Sequence, residues 1–375
     1  MFRKMYRPNL RSGRSLILLF VLSIILYLIA SHSYVEIRTN HYEEKLTAVN
    51  LMQDYLNVLQ TEIQARDIEI DPINDPFQTG LIGTRLSSIT TDRGLLSEKQ
   101  AAINPNIAAI FVEELSSLKA GDNVAIGITG SNPAVNLALY AALTAMQLEP
   151  SIIVSLSSAS YGANREELTW LDIEAILKEK GMLSFGANYA SIGGSENRGI
   201  GLSDHGMNAL RDAMSRNNVP LILGGSLEEN VDLHMQAYDN LIDKDSRYRL
   251  FVNIGGGLAN VGSEPNARLI PEGLNTKLAE RNFDREGVMM KMAKRNINVL
   301  HIRRIIRWAN KYQLSLSLEE KPVVGEGTVF SSTIHNVTVA SICLAILIAA
   351  IIAVIVFDRH DRRFMGNIVD PDEEL

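Results

Sequence analysis

The stretch TGSNP sits between a continuously apolar run, NVAIGIT, and a helix-patterned run, PAVNLALYAALTAM. It places Thr129, Gly130, Ser131 and Asn132 at a strand-to-helix junction. Glycine lets backbone N–H groups approach a ligand closely, and the start of a helix favours negative charge. Such a turn suits a carboxylate or a phosphate. Three further turns read the same way. SSASYGANREE carries Tyr161, Asn164 and Arg165, LGGS carries Gly224, Gly225 and Ser226, and NIGGGLANVGSEPN carries Gly255, Gly256 and Gly257. Arg165, Arg198 and Arg268 lie in these and neighbouring loops, and guanidinium groups hold carboxylates in a bidentate way. A tight strand-to-helix turn needs glycine with or without a ligand, so each turn taken alone has both explanations.

Nucleophilic chemistry has a weaker basis. Ser131 sits where a hydroxyl can be activated, with His205 and Asp172 as a base and its orienting carboxylate. TGSNP is not the G-x-S-x-G elbow, and Ser131 serves equally as a helix cap. Asp232 and His234 stand two residues apart on a helix and diverge, so no metal site is expected. GITGSN lacks the third glycine of the dinucleotide fingerprint and no phosphate-loop motif occurs, so no cofactor is expected.

The elements that would position these turns alternate. Apolar strands are expected at NVAIGIT, PSIIVSL, VPLILGG, YRLFVNI and INVLHI, with helices between them, and SFGANYASIGG reads as a short strand and loop. Continuously apolar strands mean a sheet buried on both faces. The expected fold is an α/β domain, residues 106–332, with about five parallel strands covered by helices on both faces. Ligands of such sheets bind beyond the carboxyl ends of the strands, where all four turns fall. Upstream, residues 36–105 hold an amphipathic helix, Tyr42 to Arg66, and a connecting segment of no clear period that runs over the surface or folds back on the core.

The ends of the chain carry a different signal. SLILLFVLSIILYLIASHSYV and VTVASICLAILIAAIIAVIVF are uncharged and long enough to span a bilayer. Transmembrane helices are therefore expected at 15–35 and 334–357. Arg3, Lys4, Arg7, Arg11 and Arg14 precede the first, and Arg359, Arg362 and Arg363 follow the second. Positive flanks stay cytoplasmic. The tails 1–14 and 358–375 are thus expected in the cytoplasm, with the central domain outside a cell membrane crossed twice. For the first run the alternative is a signal peptide cleaved after Ser33. A net charge of −7 and no basic interior face argue against nucleic acid. The single cysteine, Cys343, lies within the second apolar run, so the central domain has no disulfide or thiol chemistry.

Four strings, GITGSNPAVNLAL, SASYGANREELTWLDIEAIL, SIGGSENRGIGLS and NIGGGLANVGS, resemble the motifs of the bacterial poly-gamma-glutamate system protein family. The resemblance spans most of the chain, the flanking apolar runs included. It implies an accessory protein of poly-gamma-glutamate synthesis, export or anchoring at the bacterial surface. Its implied partners are the membrane, the synthase components and the anionic polymer or capsule. The resemblance carries positions and no catalytic role. Whether the chain is an enzyme stays open, and the alternative is an extracytoplasmic hydrolase or transferase acting on the polymer. A third reading has the chain only organising the synthase.

Overall fold

The computed structural model describes residues 13–314, 316 and 322–365. These form two compact units. One combines the residues up to Arg38 with those from Ser331 onward, and the other is Thr39–Phe330.

In the first unit an apolar helix, Gly13–Ser31, packs against a second one, Val337–Met365. An antiparallel ribbon joins their inner ends. Tyr34–Arg38 pairs with Ser331–His335 in the register Tyr34↔His335 to Arg38↔Ser331. The Asn336 amide donates to the Ser33 carbonyl at 2.9 Å, and the Tyr34 ring stacks on His335 at 4.8 Å. Among the described residues, one helical stretch, Val337–Val356, is long and apolar enough to cross a membrane. The apolar stretch Ser15–Ser31 is shorter. The run expected to continue to residue 35 leaves the helix at Ser31, because Tyr34 already belongs to the ribbon. Arg3, Lys4, Arg7 and Arg11, which carry the orientation argument, lie outside the described residues.

The second unit begins at Thr39 rather than at Asn106. It starts with helix α1 (Tyr42–Ala65), whose buried residues Ala48, Val49, Met52, Tyr55, Leu56, Leu59 and Ile63 recur every three or four positions. That stripe faces the core. Short helices α2 (Leu96–Ala102) and α3 (Ile107–Glu114) follow. Then strands and helices alternate: β1 (Asn123–Thr129), α4 (Pro133–Ala145), β2 (Glu149–Ser155), α5 (Trp170–Glu179), β3 (Tyr189–Ser191), α6 (Asp204–Arg216), β4 (Leu221–Ile222), α7 (Leu227–Asn240) and β5 (Leu250–Ile254). The unit continues with β6 (Gly273–Asn275), α8 (Val288–Lys294) and β7 (Asn298–Ile302).

The sheet has seven strands in the order β6-β7-β5-β1-β2-β3-β4, all parallel except β6, which pairs antiparallel with β7. The expected five parallel strands are therefore five of six. The sixth is the short Tyr189–Ser191, inside the SFGANYASIGG segment, and β6 is an edge strand of three residues. Both faces are covered. Along β1, Val124, Ile126 and Ile128 join the core beneath α1, α3 and α4, whereas Ala125 joins the core beneath α7 and α8. Alternation of strand side chains divides the two cores. From β1 the chain moves outward through β2, β3 and β4, then returns to place β5 on the other side of β1. The β1–β5 junction is thus a topological switch point, where a crevice opens beyond the strand ends.

A buried lysine closes the unit on itself. Lys45 is fully buried, and its Nζ donates to Thr39 Oγ1 at 2.8 Å, to Glu113 Oε2 at 2.5 Å and to the Val329 carbonyl at 2.9 Å. One ammonium thus links the first residue of the unit, helix α3 and the second-last residue. Lys45→Met removes all three bonds; the Val329 carbonyl keeps its bond from Thr39 Oγ1 at 2.6 Å and the half-exposed Glu113 carboxylate can turn to water, so the loss is that of the bonds themselves. It should cost about 1–3 kcal/mol, read as a lower melting temperature of the full chain in detergent. Lys291→Met removes only an exposed pair with Asp232 and should shift stability by less than about 1 kcal/mol.

Candidate functional site

A cavity of about 460 Å³ opens at the carboxyl ends of β1, β2, β5 and β7. It occupies the switch point. Each of the four loops contributes by a different chemistry.

The β1–α4 turn supplies Thr129, Ser131 and Asn132. Ser131 Oγ accepts the Ala159 amide at 3.0 Å. It does not cap α4; Asn132 stands at that position and makes no side-chain cap bond either. The Asn132 side chain is engaged elsewhere, since its Oδ1 accepts from Lys99 Nζ at 2.6 Å, and Lys99 also donates to the Ser131 carbonyl. Thr129 Oγ1 is buried without a partner among the described residues, packed under the Gly255 backbone.

The loop after β5 supplies Gly255, Gly256 and Gly257. Gly255 has φ +96°, and a Cβ there would lie 2.6 Å from Thr129 Oγ1, so both its conformation and its close approach require glycine. Its amide donates to the Ile302 carbonyl at 2.8 Å. The amides of Gly256 and Gly257 have no acceptor among the described residues.

The floor carries hydroxyls. Ser155 Oγ lies 3.3 Å from Ser191 Oγ and donates to Asn197 Oδ1 at 3.2 Å. Asn197 Nδ2 lies 3.4 Å from His234 Nε2. Burial pushes the His234 imidazole down to about 4, so it is neutral across the physiological range. Thr91 Oγ1 donates to Ser157 Oγ at 3.2 Å.

The fourth wall comes from upstream of the sheet. Thr90–Asp92 pairs in parallel with Ser158–Ala159, which carries Thr91, Asp92, Arg93 and Gly94 over the strand ends and sets α2 against the cavity. Here lies Lys99, buried to 8% exposure. Desolvation lowers its pKa from 10.5 to about 8, with Glu98 and Asp92 acting in the opposite direction. Across the mouth, Arg303 and Arg268 both pair with Glu264, Arg268 at 3.2 Å. Arg304 lies 3.9 Å from Glu98, whose Oε2 accepts the Ile306 amide at 3.0 Å. The lining therefore holds five cations and three carboxylates. Arrangements of this kind bind a small anion through backbone amides, hydroxyls and pre-placed positive charge.

The cavity brings together Thr129, Ser131, Asn132, Gly255, Gly256, Gly257 and Arg268. Gly130 adjoins it; its amide donates to the Ser155 carbonyl. The remaining candidates do other work. Tyr161, at φ +63°, donates its amide to the Thr84 carbonyl. Asn164 is fully buried and bonds Thr84 and Thr90, holding the upstream segment in place. Arg165 donates to the Glu69 carbonyl, and Arg198 is exposed away from the cavity lining. The Gly224 and Gly225 amides are taken by Asn230 Oδ1 at 2.8 Å and Glu229 Oε2 at 2.6 Å, and Ser226 caps α7. That turn is satisfied within its own helix start.

Ser131, His205 and Asp172 do not form a set. His205 is exposed and lies 3.0 Å from Glu166. Asp172 closes the capping box of α5 with Thr169 and binds Arg216 at 2.6 Å. Neither lines the cavity, and no base bonds Ser131 Oγ among the described residues. Lys99, Asp92 and Arg93 were not candidates from sequence. The segment holding them has no clear periodicity, and only the sheet edge shows where it folds. No group of three or more metal-ligating side chains occurs among the described residues.

Each of the four strings singled out in the sequence reaches this cavity. Gly127–Leu139 contributes Thr129, Ser131 and Asn132, and residues 158–177 contribute Ala159. Residues 191–203 contribute Gly194 and Ser195, and residues 253–263 contribute Gly255, Gly256 and Gly257. No protein-family model, curated protein or solved structure matches the chain.

Lys99 ties the site to pH. Its folded pKa lies below its unfolded value, so the unfolded chain binds the extra proton between about pH 8 and 10.5. Stability from Lys99 therefore rises with pH across that window and is lost as pH falls toward 8. Relative to Lys99→Met, the wild-type chain should gain up to about 3 kcal/mol between pH 7.5 and 10.5, measured by denaturant unfolding. A constant difference between the two proteins would contradict a buried, desolvated ammonium.

Proposed function

We propose that this chain is a membrane-anchored accessory protein of poly-gamma-glutamate synthesis, export or anchoring, and that its α/β unit binds the anionic polymer outside the membrane. The carrying observation is that all four strings of the resemblance supply lining residues to one cavity with a net excess of cations. These motifs span 137 positions, Gly127 to Ser263, and each supplies at least one residue to the same opening. Poly-gamma-glutamate carries a free carboxylate on every residue, which answers to the Gly256 and Gly257 amides, Lys99 and Arg93.

The topology proposed is two-pass, with both termini in the cytoplasm. The ribbon Tyr34–Arg38 with Ser331–His335 supports it, because it holds the inner ends of the two apolar helices side by side. Both outer ends then lie on one side, where the basic flanks belong.

Binding without turnover fits the site better than hydrolysis. Ser131 Oγ is occupied by the Ala159 amide, and Lys99 bonds the Ser131 carbonyl rather than its hydroxyl. The test incubates the full chain, in detergent, with poly-gamma-glutamate of defined length and follows elution and mass by light scattering. The expected result is co-elution at unchanged chain length, lost in Arg93→Glu/Lys99→Met. Polymer shortening that stops in Ser131→Ala would establish the hydrolase instead. The absence of both would remove the polymer from the account.

A further inference from the structure

Three charged groups on one wall of the cavity have no ion-pair partner among the described residues. The Asp92 carboxylate accepts only the neighbouring Arg93 amide, at 2.7 Å, among the described residues. The Arg93 guanidinium meets no carboxylate, and Lys99 is held by two neutral oxygens, the Ser131 carbonyl and Asn132 Oδ1. The other charges of the lining are already engaged. Arg268 and Arg303 share Glu264, and Arg304 faces Glu98. What remains without a close ion pair is two cations and one carboxylate, with Asp92 acting on Lys99 only from a distance, contributed within eight residues of chain, Asp92–Lys99.

A ligand answering all three groups carries two carboxylates and one ammonium. An internal stretch of poly-gamma-glutamate does not, because its nitrogens are neutral amides and every free charge is negative. Such a stretch would set its carboxylates against Asp92 as well as Arg93, and like charges brought together in a cavity repel. The amino-terminal end differs. Its first residue carries a free α-ammonium and an α-carboxylate, and the second residue adds another carboxylate. Free glutamate has the same complement. The volume agrees, since 460 Å³ lies within the range of small-molecule sites, roughly 300–1,000 Å³.

We infer that the cavity recognises the α-amino, dicarboxylate head of a glutamyl ligand, with Asp92 receiving the ammonium and Arg93 and Lys99 the carboxylates. This rests on the polymer-binding reading above and specifies which part of the polymer enters. It assigns Asp92 a task that a general polyanion site has no use for.

The experiment is calorimetric titration of the full chain in detergent with three probes: a short γ-linked glutamyl oligomer, the same oligomer acetylated at its amino terminus, and free glutamate. The unblocked oligomer should bind more tightly than the acetylated one, by up to about fivefold. Asp92→Asn should remove that difference, weakening the unblocked oligomer while the acetylated oligomer, relieved of a like charge, binds at least as tightly as before. The substitution is isosteric at an exposed position and keeps the acceptor for the Arg93 amide, so folding is preserved. Tighter binding of the oligomer than of glutamate would identify a chain end as the ligand, and equal binding would identify the free amino acid; both support head recognition. Equal affinity for blocked and unblocked oligomers would overturn it. So would binding of long polymer with no binding of the short probes, though the polymer-binding reading would survive. Failure of the polymer at every length would overturn both.

Discussion

The site depends on what happens to one ammonium group. Lys99 is taken out of water, and a buried cation is tolerated only where oxygens replace its hydration. It finds the Ser131 carbonyl and Asn132 Oδ1, both in the turn that opens α4. The consequences run in two directions. The segment leading into α2 is pinned over the carboxyl edge of the sheet, with its short strand paired to Ser158–Ala159. At the same time Asn132 is withdrawn from capping α4, and Ser131 turns its hydroxyl to the Ala159 amide instead. A single contact thus builds one wall of the cavity and sets the conformation of the facing one.

Topology provides the place, and charge pairing sets the character. The reversal of strand order between β1 and β5 leaves a crevice that neither flanking helix fills. Into it project a glycine loop that tolerates no side chain at Gly255 and a floor of serine hydroxyls held by Asn197 and the neutral His234. Most of the arginines at the mouth are already matched to Glu264 and Glu98. Their effect is to shape the opening, and the charges left for a ligand sit on the Asp92–Lys99 segment. Of these, Lys99 is already held by the Ser131 carbonyl and Asn132 Oδ1 and loses little freedom when a ligand arrives.

The alternation of apolar strands with helices was legible in the sequence because strands buried on both faces, such as Asn123–Thr129, carry apolar residues and glycine between their polar ends. So was an opening at the strand ends, where the structure has its cavity, and the glycine turn at Gly255–Gly257 that lines it was recognisable by composition. Strand order was not legible. Nothing in β5 itself says that it pairs with β1 on the side opposite β2. The turn at Gly224–Ser226 has the composition of a binding loop, yet Asn230 and Glu229 consume its amides, which only side-chain geometry reveals. Asp172 and His205 had the chemistry of a catalytic set, but partners distant in sequence, Arg216 and Glu166, engage them. The largest omission was the Asp92–Lys99 wall, whose placement depends on long-range contacts through Asn164, Thr84 and Thr90 and leaves no periodic trace.

The central claim is that the ligand occupies the crevice between β1 and β5 beneath the Asp92–Lys99 wall. Hydrogen–deuterium exchange of the full chain, with and without a saturating γ-linked glutamyl oligomer, tests it most directly. The account predicts slowed exchange at the amides of Gly256 and Gly257 and across residues 92–99, with the Gly224–Ser226 turn unchanged. Protection confined to other surfaces, with the glycine loop exchanging as freely as before, would contradict it.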